Sequence, residues 1–330
     1  ANYNEPVIDL MPYFGDLRIN IGDENLINNL INEHRKNFTK LEKNDQSMAE
    51  DVILSHFKGI LNGVIAKKYN IHPRRVRRIL EKLGIKSQPQ VQDIFQEKIT
   101  INRNFARFLG YYIAEGWPRN NEQTVEILNY NNDILEDCHK IIKEEFGIEG
   151  DLRYQDNVIL FNSKQLKYLL SKVLKCGKNA YEKRVPKELL FADKDIVSDL
   201  LYGLFSGDGG IRMKKDCGEI MYGSKSKGLI DDIMFMLLQF GLVPTLEFNK
   251  HSEMHILHIY NAEKILQFIE EININNGQRE LLVQSVKNLK WNKASFDMRM
   301  PLIALSPKTQ ETMSKTPWQN AESCGLSKLN

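Results

Sequence analysis

Two acidic residues, Glu115 and Asp208, stand 93 positions apart in matching surroundings. The first lies in Phe108-Leu109-Gly110-Tyr111-Tyr112-Ile113-Ala114-Glu115-Gly116, the second in Leu201-Tyr202-Gly203-Leu204-Phe205-Ser206-Gly207-Asp208-Gly209. Each reads two apolar residues, glycine, three residues, a small residue, an acid and glycine. A pair of carboxylates suits Mg2+, which takes carboxylate, carbonyl and water ligands. Here the backbone carbonyls of Ala114 and Gly207 would stand beside the acids. Cations held over a phosphodiester activate water and stabilise the leaving oxygen, so the chemistry this pattern would serve is metal-assisted hydrolysis.

The elements that must position these acids follow from spacing. Gly110 and Ala114 are four apart, as are Gly203 and Gly207, which puts a stripe of small residues on one face of each helix. Small residues let two backbones approach closely, so the two segments are expected to pack together. Leu109, Tyr112, Ile113, Leu204 and Phe205 turn into the core. The acids then meet at two helix C-termini, where mutual repulsion and the negative dipole ends call for a cation. Further landmarks repeat as well. Gly147 in Glu-Phe-Gly-Ile follows Glu115 by 32 residues, and Gly241 in Gln-Phe-Gly-Leu follows Asp208 by 33. Strand-like runs ending at Leu160-Phe161-Asn162 and Ile259-Tyr260-Asn261 lead into apolar-periodic helices, Gln165 to Leu174 and Lys264 to Ile272. One mixed helix-and-strand unit is therefore present twice.

The paired segments resemble the dodecapeptide signature of the LAGLIDADG homing endonucleases in their single-chain, two-motif form, over roughly residues 100–290. The resemblance implies an α+β fold, a pseudo-two-fold pair of αββαββα units with the motif helices at the centre and antiparallel DNA-binding sheets, here preceded by a small helical domain. It implies that Glu115 and Asp208 coordinate catalytic metal, Mg2+ or Mn2+, with Ca2+ binding without supporting cleavage. Neither acid is replaced, which favours an active enzyme. The implied activity is cleavage of double-stranded DNA at a long, specific site, leaving short 3′ overhangs. Family members also carry basic residues near the metals. Lys225, in Tyr222-Gly223-Ser224-Lys225-Ser226, matches such a position, and Tyr130 is its counterpart in the first half. Lys164 matches a second basic position, where Glu263, with Lys264 adjacent, stands in the other half. Both lysines also read as ordinary surface residues.

DNA contacts are expected from residues after each motif and from alternating strand positions. These are Trp117, Arg119 and Asn120, then Arg212, Lys214 and Lys215, and, along the strands, Arg153, Gln155, Asn157, Lys250, His251, His255 and His258. His255 and His258 lie three apart on a strand and so face opposite ways, as a groove contact and a packing residue. They do not form a metal pair.

Ahead of the repeats, Ile65 to Lys86 holds eight basic residues against one acid, Glu81. Ile65, Ala66 and Tyr69 share a helix face, and Asn70-Ile71-His72 breaks the helix. Pro73 opens a second helix, in which Val76, Ile79, Leu80 and Leu83 face inward and Gly84 ends the run. Arg74, Arg75, Arg78 and Lys82 turn outward. Helix, turn and basic helix resemble the helix-turn-helix units of recombinases and sigma-like factors, whose second helix lies in the major groove. A mere packing hairpin is the bland reading. The sequence thus divides into an N-terminal region, 1–95, with its helix-turn-helix at about 51–95. The repeats follow at 96–190 and 191–290, and a tail at 291–330.

The bulk numbers exclude several classes. A hydrophobic share of 42% and a charged share of 27% suit a globular protein. No run is apolar enough to span a bilayer, and the start lacks a signal-peptide pattern. Cys138, Cys176, Cys217 and Cys324 have no metal or disulfide spacing, which fits a reducing compartment and an intracellular protein in cytoplasm, nucleoid or an organelle. The single-chain, two-motif resemblance implies a monomer. Two alternatives stay open, an intron RNA maturase and a non-catalytic transcription regulator on the same fold. The two acids argue against the regulator. An intein is also considered. The chain begins at Ala1 without a Thr-x-x-His block and does not end in His-Asn, so a complete intein is not expected, whereas an endonuclease segment of one would look similar.

Overall fold

The computed structural model describes residues 5–119, 123–214, 217–260 and 262–272, with backbone alone for 211–214, 217 and 262. Cα packing divides the chain into two compact units, Ala1–Asp208 and Gly209–Asn330.

The first unit opens with a mainly helical module. Two short strands, β1 (Val7–Asp9) and β2 (Ile19–Asn20), precede α1 (Glu24–Arg35), α2 (Lys43–Gln46), α3 (Ala49–Phe57), α4 (Asn62–Lys68) and α5 (Pro73–Leu83). Then come β3 (Phe95–Gln96) and β4 (Lys98–Thr100). Local signals set the helix ends. Asp23 caps α1 by accepting from the Asn25 and Leu26 N–H groups. Pro73 takes the first turn of α5, and Gly84, at φ +78°, ends it in the left-handed region. The expected apolar stripe, Val76, Ile79, Leu80 and Leu83, is buried. The first fifty residues, without a legible period, belong to the same core through Leu10, Leu17, Ile19, Ile21 and Ile27. Their strands reach far along the chain: β1 pairs antiparallel with β4, Val7 opposite Thr100, and β2 pairs parallel with β3.

The first repeat runs α6 (Arg103–Glu115), β5 (Gly116–Pro118), β6 (Val125–Leu128), α7 (Asn132–Phe146), β7 (Asp151–Arg153), β8 (Val158–Phe161) and α8 (Lys164–Tyr168). A π-helical turn, Leu169–Val173, extends α8. The second runs α9 (Lys194–Gly207), β9 (Gly209–Lys214), β10 (Cys217–Ser224), α10 (Lys227–Leu238), β11 (Thr245–Asn249), β12 (Met254–Tyr260) and α11 (Ala262–Glu271). The order αββαββα is the same in both. So is the sheet order: β5-β6-β8-β7 in one and β9-β10-β12-β11 in the other, all antiparallel. In each sheet alternate residues enter the core, Val125, Ile127, Ile159 and Phe161 in the first, and Ile220, Tyr222, Leu257 and Ile259 in the second. Helix α9 packs along α6 and so belongs to the first compact unit.

The expected pair of strands in Asp151 to Phe161 forms a hairpin, turning at Tyr154–Asp156 with Asn157 at φ +54°. Gln155 and Asn157 are turn residues and not alternating strand positions. Asn tolerates the left-handed region that such a tight turn needs.

Candidate active site

The site is built on two helices whose backbones touch. The Asn102 side chain caps α6, accepting from the Phe105 N–H at 2.9 Å. Along the contact with α9 there is no room for a side chain. A Cβ on Gly110 would lie 2.8 Å from Gly203 Cα and from the Leu204 nitrogen. One on Gly203 would lie 2.9 Å from Gly110 Cα and the Tyr111 nitrogen. At the C-terminal ends the approach is as close, since a Cβ on Gly207 would lie 2.6 Å from Ala114 Cβ and 3.0 Å from Glu115 Cγ. Arginines fasten the N-terminal halves. Arg107 forks onto Asp137 of α7 at 2.7 and 3.0 Å and reaches Asp199 of α9 at 3.4 Å, while Arg103 pairs with Asp199 at 2.5 Å. The close crossing is what the spacing of small residues requires, and it brings the ends of the two helices, with the two acids, together.

Helix α6 ends at Glu115, and Asp208 caps α9, its N–H donating to the Leu204 carbonyl at 3.1 Å. Both carboxyls are held above the usual carboxylate range. For Glu115 burial is the main cause and the Asp208 charge adds to it; for Asp208 burial alone acts upward. Asp208 is open to solvent at its rim, yet its carboxyl sits among enough protein to be desolvated. The neighbouring Lys183 ammonium pulls both back down. Lys183 in turn is held below its ordinary value by burial, which outweighs the two carboxylates. Its Nζ donates to the carbonyl of Ala114 at the end of α6.

Lys183 is the residue the sequence reading does not single out. A tight loop delivers it. Cys176 is buried, and Gly177, at φ +91°, lets its backbone press on Glu182 and Lys183, where a Cβ would come within 2.7 Å of Lys183 Cα. The Asn179 side chain turns the chain by accepting from the Tyr181 and Glu182 N–H groups. The Arg184 N–H then returns to the Cys176 carbonyl at 3.2 Å. Neither the lysine nor its spacing marks it in Lys183-Arg184-Val185-Pro186, since the loop alone aims it.

The remaining expected residues distribute as follows. Lys164 is the first residue of α8 and exposed, and Lys225 follows the end of β10, also exposed, in the second unit. Trp117 lies exposed on β5 opposite Glu126. Arg119 is ion-paired with Glu126, and Arg153 with Asp151 at 2.7 Å. Lys250 and His251 occupy the exposed turn between β11 and β12. Arg212 and Lys214 stand on β9 opposite Glu219 and Cys217. Asn120 and Lys215 lie outside the described residues. His258 is buried, with Nδ1 on the Glu219 carboxylate at 2.5 Å and Nε2 at 3.4 Å from Glu247. The His255 ring packs 4.7 Å from that of Phe248.

Among the described residues no three His, Cys, Asp or Glu side chains gather as a metal cage. Two carboxylates at the ends of two touching helices, beside the Ala114 carbonyl that Lys183 engages, are a different kind of donor set. It matches how Mg2+ binds, through one or two carboxylates, with water and substrate phosphate completing its shell. The desolvation of both acids, which the Lys183 ammonium offsets only in part, is the observation that fits a cation there. Two clefts of about 430 and 440 Å3 lie at the other end of α6, beside Asn102, and contain neither acid.

Comparison with known proteins places a LAGLIDADG-like domain at residues 195–273. The chain is 31% identical over 229 residues to Uncharacterized protein MJ1054 of Methanocaldococcus jannaschii, covering 62% of this chain and 25% of that protein. It is 32% identical over 140 residues to the DNA polymerase II large subunit of Thermococcus kodakarensis, covering 41% of this chain but 8% of the polymerase. The chain thus spans a quarter or less of the length of these relatives. Among solved structures, variants of the homing endonuclease I-DmoI align with a TM-score of 0.41 at 15% identity, over 53% of this chain and 97% of theirs. Full-length DUF199/WhiA aligns with a TM-score of 0.42 at 12% identity, over 67% and 68%. No helix among the described residues is long and apolar enough to cross a membrane.

Proposed function

We propose that this chain, which carries a LAGLIDADG-like domain, is a divalent-metal-dependent endonuclease of the homing type that cuts double-stranded DNA at a long, specific site. The observation that carries the reading is the pairing of Glu115 and Asp208 at the ends of two helices in backbone contact, both carboxyls desolvated and both facing Lys183. Enzymes keep such costly charge where chemistry needs it. Glu115 and Asp208, with the carbonyls of Ala114 and Gly207, would hold Mg2+ or Mn2+. A divalent cation there supplies charge neutralisation at the phosphate and activation of water at neutral pH.

The chain's own groups do the rest. The carboxylates would fix where a bound cation, and so the scissile phosphate, sits, and the Gly110–Gly203 crossing fixes the carboxylates. The Lys183 ammonium adds a positive charge beside them, placed to stabilise charge that develops on phosphate oxygens. Lys225 and Lys164 are proposed as outer basic groups. Trp117, Arg119, Arg153, Arg212, Lys214 and Lys250, on or at the ends of the two sheets, are proposed to contact the groove and backbone. The repeats are proposed to span about 96–190 and 191–290, the second beginning with α9 although α9 packs on α6.

The test is cleavage of a randomised double-stranded DNA library with Mg2+ by wild type and by a Glu115→Gln/Asp208→Asn double variant. Cutting at one long site, lost in the variant while binding persists, is the expected result. Sequence-specific binding without cutting by either protein would sink the nuclease and leave a regulator or maturase.

A further inference from the structure

Resting on the DNA-binding reading above, we infer that residues 5–101 are a second DNA-reading unit welded to the first repeat, so that the target is bipartite with a fixed spacing. Arg74, Arg77 and Arg78 read its outer part.

The reading unit has the required build. Helices α3, α4 and α5 pack on one another, and four residues, Tyr69 to His72, join α4 to α5. Asn70 turns this connection at φ +51°. Asp51 of α3 clamps the turn, accepting from Tyr69 Oη at 2.6 Å and Lys68 Nζ at 2.7 Å. A three-helix unit with so short a turn presents its last helix outward.

The charges on α5 fall into two sets. The flanking set is Arg75 and Lys82. Arg75 pairs at 2.8 Å with Asp45, which is 4% exposed, and so holds α5 against α2 as an anchor rather than a DNA contact. Lys82 stands 4.0 Å from exposed Glu42, a pair worth little in water, and lies at the edge of the cationic face. The outer set is Arg74, Arg77 and Arg78, all exposed. Arg77 has only the exposed i,i+4 pair with Glu81, which is worth little in water. Among the described residues Arg74 and Arg78 have no acidic partner. One turn apart, they form a cationic strip on a rigid helix, and arginine is the side chain that reads guanine edges and phosphates with a fork of donors. Charge and shape together select duplex nucleic acid as the occupant.

The weld is as specific as the helix. The module's strands close on its own far end, β1 on β4 and β2 on β3, beside the start of α6. Arg18 then locks that seam, donating from Nε to the Gly59 carbonyl at 2.7 Å and from Nη1 to the Val91 and Gln92 carbonyls at 2.8 and 2.6 Å. Across to the first repeat, buried Gln165 of α8 accepts from the Arg18 N–H and donates to the Asp93 carbonyl. Phe95 packs its ring 5.2 Å from that of Phe146 on α7, and Tyr13 lies 6.2 Å from Tyr168. A unit held across its junction by a buried amide and two aromatic contacts, one tilted and one edge-on, resists the swivelling of a tethered domain, so α5 keeps one orientation to β5–β8.

The test uses the full chain in Ca2+, which suits binding without cleavage, and selects bound sequences from random duplex DNA. Hydroxyl-radical footprints of the selected site are then compared for wild type and Arg74→Gln/Arg78→Gln. The expected footprint has two blocks. The variant loses protection of the outer block alone, binds roughly tenfold more weakly per arginine, and shows a shallower salt dependence. Inserting half a helical turn between the blocks drops wild type to the variant's affinity. An unchanged footprint in the variant would overturn the inference while leaving the nuclease reading intact. So would indifference to the insertion, which is what a flexible tether gives. Failure of wild type to select any duplex, or selection of structured RNA in a parallel pool instead, would overturn both.

Discussion

Gly110 and Gly203 meet backbone to backbone, each filling the space that a Cβ on the other would need. The neighbours in this contact are main-chain atoms on both sides, so the helices themselves must move apart if either glycine gains a methyl. Gly110→Ala or Gly203→Ala is expected to destabilise the protein by about 1–3 kcal/mol, the usual cost of overpacking. Gly63, in α4, has nothing within 4 Å of where its Cβ would sit. There the helix propensity of alanine acts alone, and Gly63→Ala should stabilise by about 0.5–1 kcal/mol. Thermal melts of the three variants check the contrast. Equal melting temperatures for Gly110→Ala and Gly63→Ala would mean that α6 and α9 are not in tight contact.

The two acids should destabilise the fold at neutral pH. Both have pKa values raised by folding. A group raised in this way favours the folded state below its unfolded pKa and loses that contribution as pH rises through the folded value. Glu115→Gln/Asp208→Asn is therefore expected to melt with wild type at a pH below the ordinary carboxylate range of about 4. It should melt above wild type as pH climbs past the raised values. The gain should be small, roughly 2 °C in a domain of this size, because Asp208 is open to water, which screens part of the cost. Excess Mg2+ should close the gap by stabilising wild type alone. A variant that melts lower than wild type at neutral pH would show the acids to be structural.

How far the sequence could be read depended on whether a residue's role was local. The motif helices were legible because small residues four apart and an acid at the end state both the packing and the chemistry. Helix α5 was legible because Pro73, the Val76-to-Leu83 stripe and Gly84 are all local signals. The first fifty residues were not, since Val7 finds its partner at Thr100 and Arg18 its acceptors at Gly59, Val91 and Gln92. The same limit explains Arg75, which looks like its neighbours until buried Asp45 is brought beside it. It also explains Gln155, whose strand stops for a turn.

Arg107 ties α6 to both α7 and α9 through a two-pronged contact with Asp137 and a longer one with Asp199. Its pKa is raised, chiefly by the Asp137 hydrogen bond, so the charge is firmly held. Lysine would keep that charge but not the fork, and the two are not equivalent at such a site. Arg107→Lys should cost about 1–3 kcal/mol, the price of breaking a charge-assisted hydrogen bond. Denaturant titration checks it. A loss below about 0.5 kcal/mol, typical of an exposed pair, would reduce Arg107 to a surface residue.

Lys183 separates a catalytic arrangement from a merely structural one. Its pKa is lowered, because burial outweighs the attraction of Asp208 and Glu115. A lysine lowered in this way adds stability only at pH above its unfolded value and loses it as pH falls through the folded one, so wherever the amine carries its proton the charge is held at a cost. Lys183→Met removes that charge and also the donor to the Ala114 carbonyl, two effects of opposite sign. The variant is expected to melt within about 1 kcal/mol of wild type. Its cleavage should nonetheless fall roughly tenfold or more, what one interaction of about 1.4 kcal/mol in the transition state is worth. Mg2+ should raise its melting temperature more than it raises that of wild type, because the carboxylates then face the metal without a competing ammonium. Parallel melts and single-turnover cleavage give both readings. Loss of stability with unchanged cleavage would make Lys183 a strut for the loop that ends at Pro186, and the catalytic charge would have to come from elsewhere.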